Sequence, residues 1–98
     1  MNEYMIVIHF TSMVSAEFAS FIPAQRIHVN RLMEKGIVTS YSLAADRSTL
    51  WMTLFASSSE AVEKLLRSMP LYPFMRYDAV ELLFHNRPVQ VQMHLSLN

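Results

Sequence analysis

The hydrophobic period of this chain switches between two and about 3.6 residues in a fixed order, and that order restricts the fold more than any single residue does. Tyr4-Met5-Ile6-Val7-Ile8-His9-Phe10-Thr11 is a β-branched and aromatic run, too short for a buried helix, and reads as a strand. Phe18, Ile22, Gln25, Val29 and Leu32 then recur at 4-3-4-3 spacing, one face of a helix. Ser15 is placed to cap it, with Glu17 in the first turn where the helix dipole favours negative charge, and Lys35-Gly36 closes it. Pro23 cannot donate to the carbonyl of Ala19, so a kink is expected there, or a short first turn and a fresh start. Ile37 to Ala45 and Leu50 to Ala56 read as strands joined by the turn Ala45-Asp46-Arg47-Ser48. Ser57, with Glu60 three residues later, forms a capping box for a second helix. Its stripe is Val62, Leu65, Leu66 and Met69, and it must stop before Pro70. Met75 to His85 reads as a fourth strand. The order β-α-β-β-α-β predicts a ferredoxin-like α+β fold with a four-stranded antiparallel sheet.

Splitting the strands by parity adds a second constraint. Tyr4, Ile6, Ile8 and Phe10 share one face of the first strand, and Met5, Val7, His9 and Thr11 share the other. Leu50, Met52 and Leu54 likewise oppose Trp51, Thr53 and Phe55, while Val80, Leu82 and Phe84 oppose Met75, Tyr77, Ala79 and Leu83. Two helices cover only one face of such a sheet, and a solvated second face would alternate cleanly with polar residues. Both faces are substantially apolar, so the second is expected to meet another copy of the chain. Composition points the same way: 52% of the 98 residues are hydrophobic and 16% are charged, a low charge count for a domain whose surface dominates its volume.

Residues 1–87 are expected to form the folded domain, and 88–98 an extended C-terminal arm. After Pro88, Val89, Val91, Met93, Leu95 and Leu97 alternate with polar residues, the pattern of a strand with one buried face. Eight acids balance eight Lys and Arg, so no basic field points to nucleic acid or to a membrane surface. The absence of cysteine removes disulfides, thiol nucleophiles and Cys-type zinc sites. No segment has the roughly 20 apolar residues of a membrane span, and the first residues carry no export pattern, so a soluble cytoplasmic protein is expected. RNA-recognition modules share the element order, but Thr49-Leu50-Trp51-Met52-Thr53-Leu54-Phe55 lacks their basic and glycine residues. His9 and His85 would stand on the order of 15–20 Å apart along paired strands, so no metal site is expected, and no cofactor is implied.

The stretch Leu66-Arg67-Ser68-Met69-Pro70-Leu71-Tyr72-Pro73-Phe74-Met75, closing on His85, resembles the muconolactone isomerase family. That family has a similar Leu-Pro-Leu-Phe-Pro-Tyr-Met run before its last strand and then a His-Pro-Ser segment. Pro70, Leu71, Pro73, Met75 and His85 fit the pattern, with aromatic exchanges at Tyr72 and Phe74. The helix end Arg31-Leu32-Met33-Glu34-Lys35-Gly36 is similar too, and the likeness spans roughly the first 87 residues. The resemblance implies a dimeric α/β barrel, as a homodimer or a larger homo-oligomer, and an isomerase acting on a small lactone or other carbonyl compound by proton transfer. Two departures bear on activity. Gln25 stands where such isomerases tend to carry Glu, and Tyr41-Ser42-Leu43 stands where they tend to have Leu-Trp-Arg. A proton shift beside a carbonyl needs a base within reach and a group that stabilises the enolate, and an amide cannot be that base.

Each candidate residue has a plain structural reading beside the functional one. Gln25, polar on an apolar stripe, is either a core amide bonded to backbone or a pocket amide that orients a ligand carbonyl. His28, one turn along, is the acid/base candidate because imidazole is the side chain whose unperturbed pKa lies near neutrality, against an exposed structural histidine. Tyr41 and Trp51 on neighbouring strands either wall a pocket or fill core. Arg76 either binds an anionic group or pairs with Asp78, and Asp46-Arg47 in the hairpin turn is expected to be solvated. Eight methionines suit a pocket tolerant of apolar shapes. The competing functions are an isomerase-like enzyme using His28 with Gln25 or Arg76, a cofactor-free oxygenase-like enzyme using Trp51, Tyr41 and His28, and a non-catalytic binding or assembly module.

Overall fold

A computed structural model describes residues 1–87; the expected arm, 88–98, lies outside them. The chain runs β1 (Asn2–Phe10), α1 (Ala16–Glu34), β2 (Val38–Leu43), β3 (Thr49–Ala56), α2 (Ser59–Arg67), a 3₁₀ turn (Tyr72–Phe74) and β4 (Met75–Glu81). The sheet order is β2-β3-β1-β4, with every neighbouring pair antiparallel. The ferredoxin-like α+β architecture expected from the sequence is therefore the one observed.

The most apolar strand sits between two partners. β1 pairs with β3 from Asn2↔Ala56 to His9↔Thr49, and with β4 from Tyr4↔Glu81 to Phe10↔Met75. Tyr4, Ile6 and Ile8 point to the helices and join Met52, Leu54, Val38, Val29, Leu32, Val62, Leu66 and Met69 in one core. Ile6, Leu54 and Leu66 are wholly buried, each worth about 1.5–3 kcal/mol of apolar transfer.

Local chemistry sets the helix ends. Ser15 Oγ accepts from Phe18 N at 3.0 Å, and Gly36 takes a φ of 75° just past α1, the left-handed turn that glycine makes without a Cβ clash. No fresh start occurs at Pro23: α1 is one helix through it. Ala19 and Pro23 both lie on the exposed side, where water can take the freed carbonyl. The cap of α2 is Ser58 rather than Ser57, its Oγ accepting from Ala61 N at 3.1 Å. β4 ends at Glu81 instead of His85. Its partner β1 runs out there, with Leu82 N making the last bond to Glu3 O at 2.8 Å, and Leu83 and Phe84 stand exposed beyond it.

β2 contains a feature that parity counting misses. Its register shifts between Val38↔Leu54 and Ser40↔Thr53, so Thr39 is an extra residue in a bulge. Thr39 Oγ1 and Ser40 Oγ both meet Thr53 Oγ1, at 2.6 and 2.5 Å, two consecutive residues on one face. Downstream, Tyr41 pairs with Met52 and Leu43 with Leu50, which turns both toward the helices.

The second sheet face is open in the single chain. Val7, Trp51, Phe55 and Val80 lie there among Met5, His9, Arg76 and Asp78, with Trp51 41% and Val80 56% exposed.

Candidate functional site: a cleft between the first helix and the hairpin

Between α1 and the β2–β3 hairpin is a cleft of about 520 Å³, within the size range of small-molecule sites. Phe18, Gln25, Val29 and Leu71 form its buried floor, whereas Arg26, Tyr41, Leu43 and Arg47 are exposed at its edge. Tyr41 OH donates to Asn30 Oδ1 at 3.4 Å, a bridge from the sheet to α1.

Gln25 is committed to the backbone. It is 7% exposed; its Oε1 accepts from Leu71 N at 3.0 Å and its Nε2 donates to Met69 Sδ at 3.5 Å. The amide therefore ties α1 to the Pro-rich segment after α2 while also lining the cleft. His28 does not reach the cleft. Its Nε2 hydrogen-bonds Ser68 Oγ, the C-cap of α2, at 3.1 Å.

Of the five residues singled out in the sequence, the structure brings Gln25 and Tyr41 together in the cleft and leaves the other three apart. Trp51 is opposite Val7 and Ser42 on the open face, so Tyr41 and Trp51 do not share a wall. Arg76 pairs in register with His9, also on the open face. Arg26 and Arg47 line the cleft instead. Arg26 follows Gln25 on the helix, a position the stripe count passes over, and Arg47 was expected to be solvated in the turn.

A second polar cluster was not visible in the sequence. Glu63 on α2 accepts from Tyr72 OH and Arg67 Nη2, both at 2.8 Å, and from Tyr77 OH. The Tyr77 hydroxyl, then Arg67 and Tyr72, hold the Glu63 carboxyl down to about 2, and the same bond to Glu63 pushes Tyr77 up to about 12. Tyr72 and Tyr77 join α2 to the 3₁₀ turn and to β4, while Arg67 pairs with Glu63 within α2. Glu3 plays a smaller version of this part, accepting from Thr39 Oγ1 at 2.7 Å and from Arg87. Among the described residues no group of three His, Asp or Glu side chains is placed to hold a metal ion, and no helix is long and apolar enough to cross a membrane.

Fold and cleft together define a class: a two-layer β-α-β-β-α-β protein with a ligand-sized opening beneath its first helix. The sequence model of the muconolactone delta-isomerase family matches residues 3–87, and the chain belongs to that family. A solved structure titled as the crystal structure of muconolactone isomerase at 3.3 Å resolution shares the fold with a TM-score of 0.69. It is 18% identical in sequence, and the match covers 90% of this chain and 95% of that one. No match was found among curated proteins.

Proposed function

We propose that this chain binds a small, mainly apolar carbonyl compound in the cleft beneath α1, within a homo-oligomer, and that binding rather than proton transfer is its main activity. The observation that carries this reading is the cleft lining. It offers one amide, one phenol, two guanidiniums and apolar side chains, with no carboxylate or imidazole among the described residues that form it. An isomerase needs a group that titrates at the reacting carbon. His28, the candidate shuttle, is bonded to Ser68 away from that lining. Gln25 keeps a second N–H on Nε2 beyond the one given to Met69, and that donor suits a ligand carbonyl.

Muconolactone turnover by the purified protein is expected to be absent or about 10²–10⁴-fold below that of an isomerase with its base in place. Turnover at the full rate would overturn the reading, and comparison of His28→Ala with Gln25→Ala would then identify the group responsible. Native mass spectrometry of protein taken gently through purification is expected to reveal a retained small molecule.

The homo-oligomer is supported by the open face, where Trp51, Val80, Val7 and Phe55 form an apolar surface of the kind that marks an interface. Light scattering is expected to give at least a dimer at micromolar concentration, insensitive to high salt because screening weakens charge contacts and not apolar burial. A monomer mass would sink this part.

A further inference from the structure

A second opening lies at the end of the sheet where β3 leads into α2. It is a groove of about 370 Å³ walled by Ile37, Phe55, Ala56, Ala61 and Leu65, with Lys64 at its edge. Ile37, Ala61 and Leu65 pack against the core on one side and stay partly exposed on the other. Leu65 belongs to the apolar stripe of α2, and the groove is where that stripe is left half-covered.

The last described residue is anchored beside this groove. Leu82 N donates to Glu3 O at 2.8 Å, and the chain then returns to the same residue through its side chain. Arg87 Nη2 pairs with Glu3 Oε2, which also accepts from Thr39 Oγ1 at 2.7 Å. The Glu3 side chain is only 10% exposed, so this pair is set into the surface rather than loose upon it. Glu3 is the register partner of Phe55, and Phe55 N donates to Ile37 O at 2.9 Å. The anchor therefore stands one strand spacing, about 5 Å, from two residues of the groove wall.

Beyond Arg87 the sequence continues with Pro88, which favours extended backbone at the residue before it. Val89, Val91, Met93, Leu95 and Leu97 follow at period two, a pattern that needs one covered face. We propose that residues 89–97 lie extended in the groove of their own chain, with the apolar side chains against Phe55, Ala61 and Leu65. The length suffices: nine extended residues span about 30 Å, against about 14 Å for the nine residues of α2. Charge also suits. Lys64 is the one charged side chain lining the groove among the described residues, and 89–97 contain no Asp, Glu, Lys or Arg. The open sheet face is the rival surface. Its Val7–Trp51 pair stands four residues along β1 from Glu3, about 13 Å away, whereas Phe55 is directly opposite.

The full-length protein with a benzophenone side chain introduced at Val91 tests the placement. After irradiation, peptide mass spectrometry is expected to locate the crosslink on Phe55, Ala61 or Leu65, in a product that runs at the monomer mass on a denaturing gel. The same group at Gln92, on the outward side of the alternation, is expected to miss those three residues. A crosslink to Val7 or Trp51 would overturn the proposal in favour of the open face. A product at twice the monomer mass would overturn it in favour of a second copy's groove. Chymotrypsin provides a measure free of the introduced group. Cleavage after Leu95 should be at least about 10-fold faster in Ala61→Glu and in Val91→Asp than in the native chain, because docked backbone must leave its site to be cut. Val91 lies outside the folded domain, so Val91→Asp keeps the test decisive if Ala61→Glu disturbs α2. Equal cleavage rates in the native chain and Val91→Asp would overturn the proposal.

Discussion

The two helices cover the same sheet face in different ways. α2 is fastened: Val62 and Leu66 are at most 1% exposed, and Glu63 accepts hydrogen bonds from Tyr72 of the turn and Tyr77 of the strand that follow. α1 is twice as long, yet it walls the cleft, and Ile22 of its apolar stripe is 37% exposed there. The contrast teaches that a small two-layer domain can border a cleft with one helix when the other is pinned by both apolar and polar contacts. The polar ties between elements gather on the α2 side, and the proposed binding cleft lies on the α1 side.

The sharpest way to break that division is to truncate one apolar residue on each helix. Leu66→Ala is expected to cost about 2–5 kcal/mol, the range for a large-to-small change in a core, measured by urea denaturation. Ile22→Ala is expected to cost less than about 1 kcal/mol, as for a partly exposed site. Equal losses would show that the cleft side is packed as tightly as the other in solution.

Gln25→Leu probes the join between the two sides. It removes the acceptor of the buried Leu71 N–H, and an unsatisfied buried donor costs about 1–3 kcal/mol. A neutral result would mean that the Pro-rich segment is held by its other contacts, among them Thr11 N to Phe74 O and the edge-on packing of Phe74 against Phe18.

The smallest effect concerns pH. The Glu63 carboxyl lies lower in the folded chain, at about 2, than its ordinary 4.5. Its contribution is therefore complete above the ordinary value and is lost as pH falls toward 2. The melting temperature of Glu63→Gln should lie below that of the native chain at pH 7, with the gap narrowing from pH 5 downward and closing near pH 2. Tyr77 runs the other way. Its hydroxyl is raised from 10.0 to about 12, so its stabilising bond is intact below pH 10 and is lost as pH rises through 12. Tyr77→Phe should flatten that alkaline decline. A pH-independent gap at Glu63 would mean that its bonds are replaced by water at no cost.

The fold was legible because each element carries its own period and its own cap. Four of the five residues of the 4-3-4-3 stripe, Phe18, Gln25, Val29 and Leu32, are buried, and Ile22 is open where the helix borders the cleft. The site was legible only in part. Gln25 declared itself as a polar residue on that stripe, and Tyr41 as an aromatic on a hairpin strand. Trp51 has equally strong aromatic character, but its face depends on strand register, which one strand alone does not encode. Arg47 is hidden for a related reason: a charge in a turn looks the same whether the turn projects into water or leans over a cleft. The clustering of Glu63, Tyr72 and Tyr77 depends on how α2, the turn and β4 come together, and no local pattern reports that.

Thr39 decides what the cleft is lined with. β2 is an edge strand, so an extra residue there is absorbed without moving β1, β3 or β4. Its effect downstream is a half-turn of the alternation: Tyr41 and Leu43 face inward and Ser42 outward. The same residues in unbroken alternation from Val38 would turn Ser40 and Ser42 toward the helices and Tyr41 and Leu43 to the open face. The bulge, and not the order of side chains alone, therefore gives the cleft its aromatic and apolar wall.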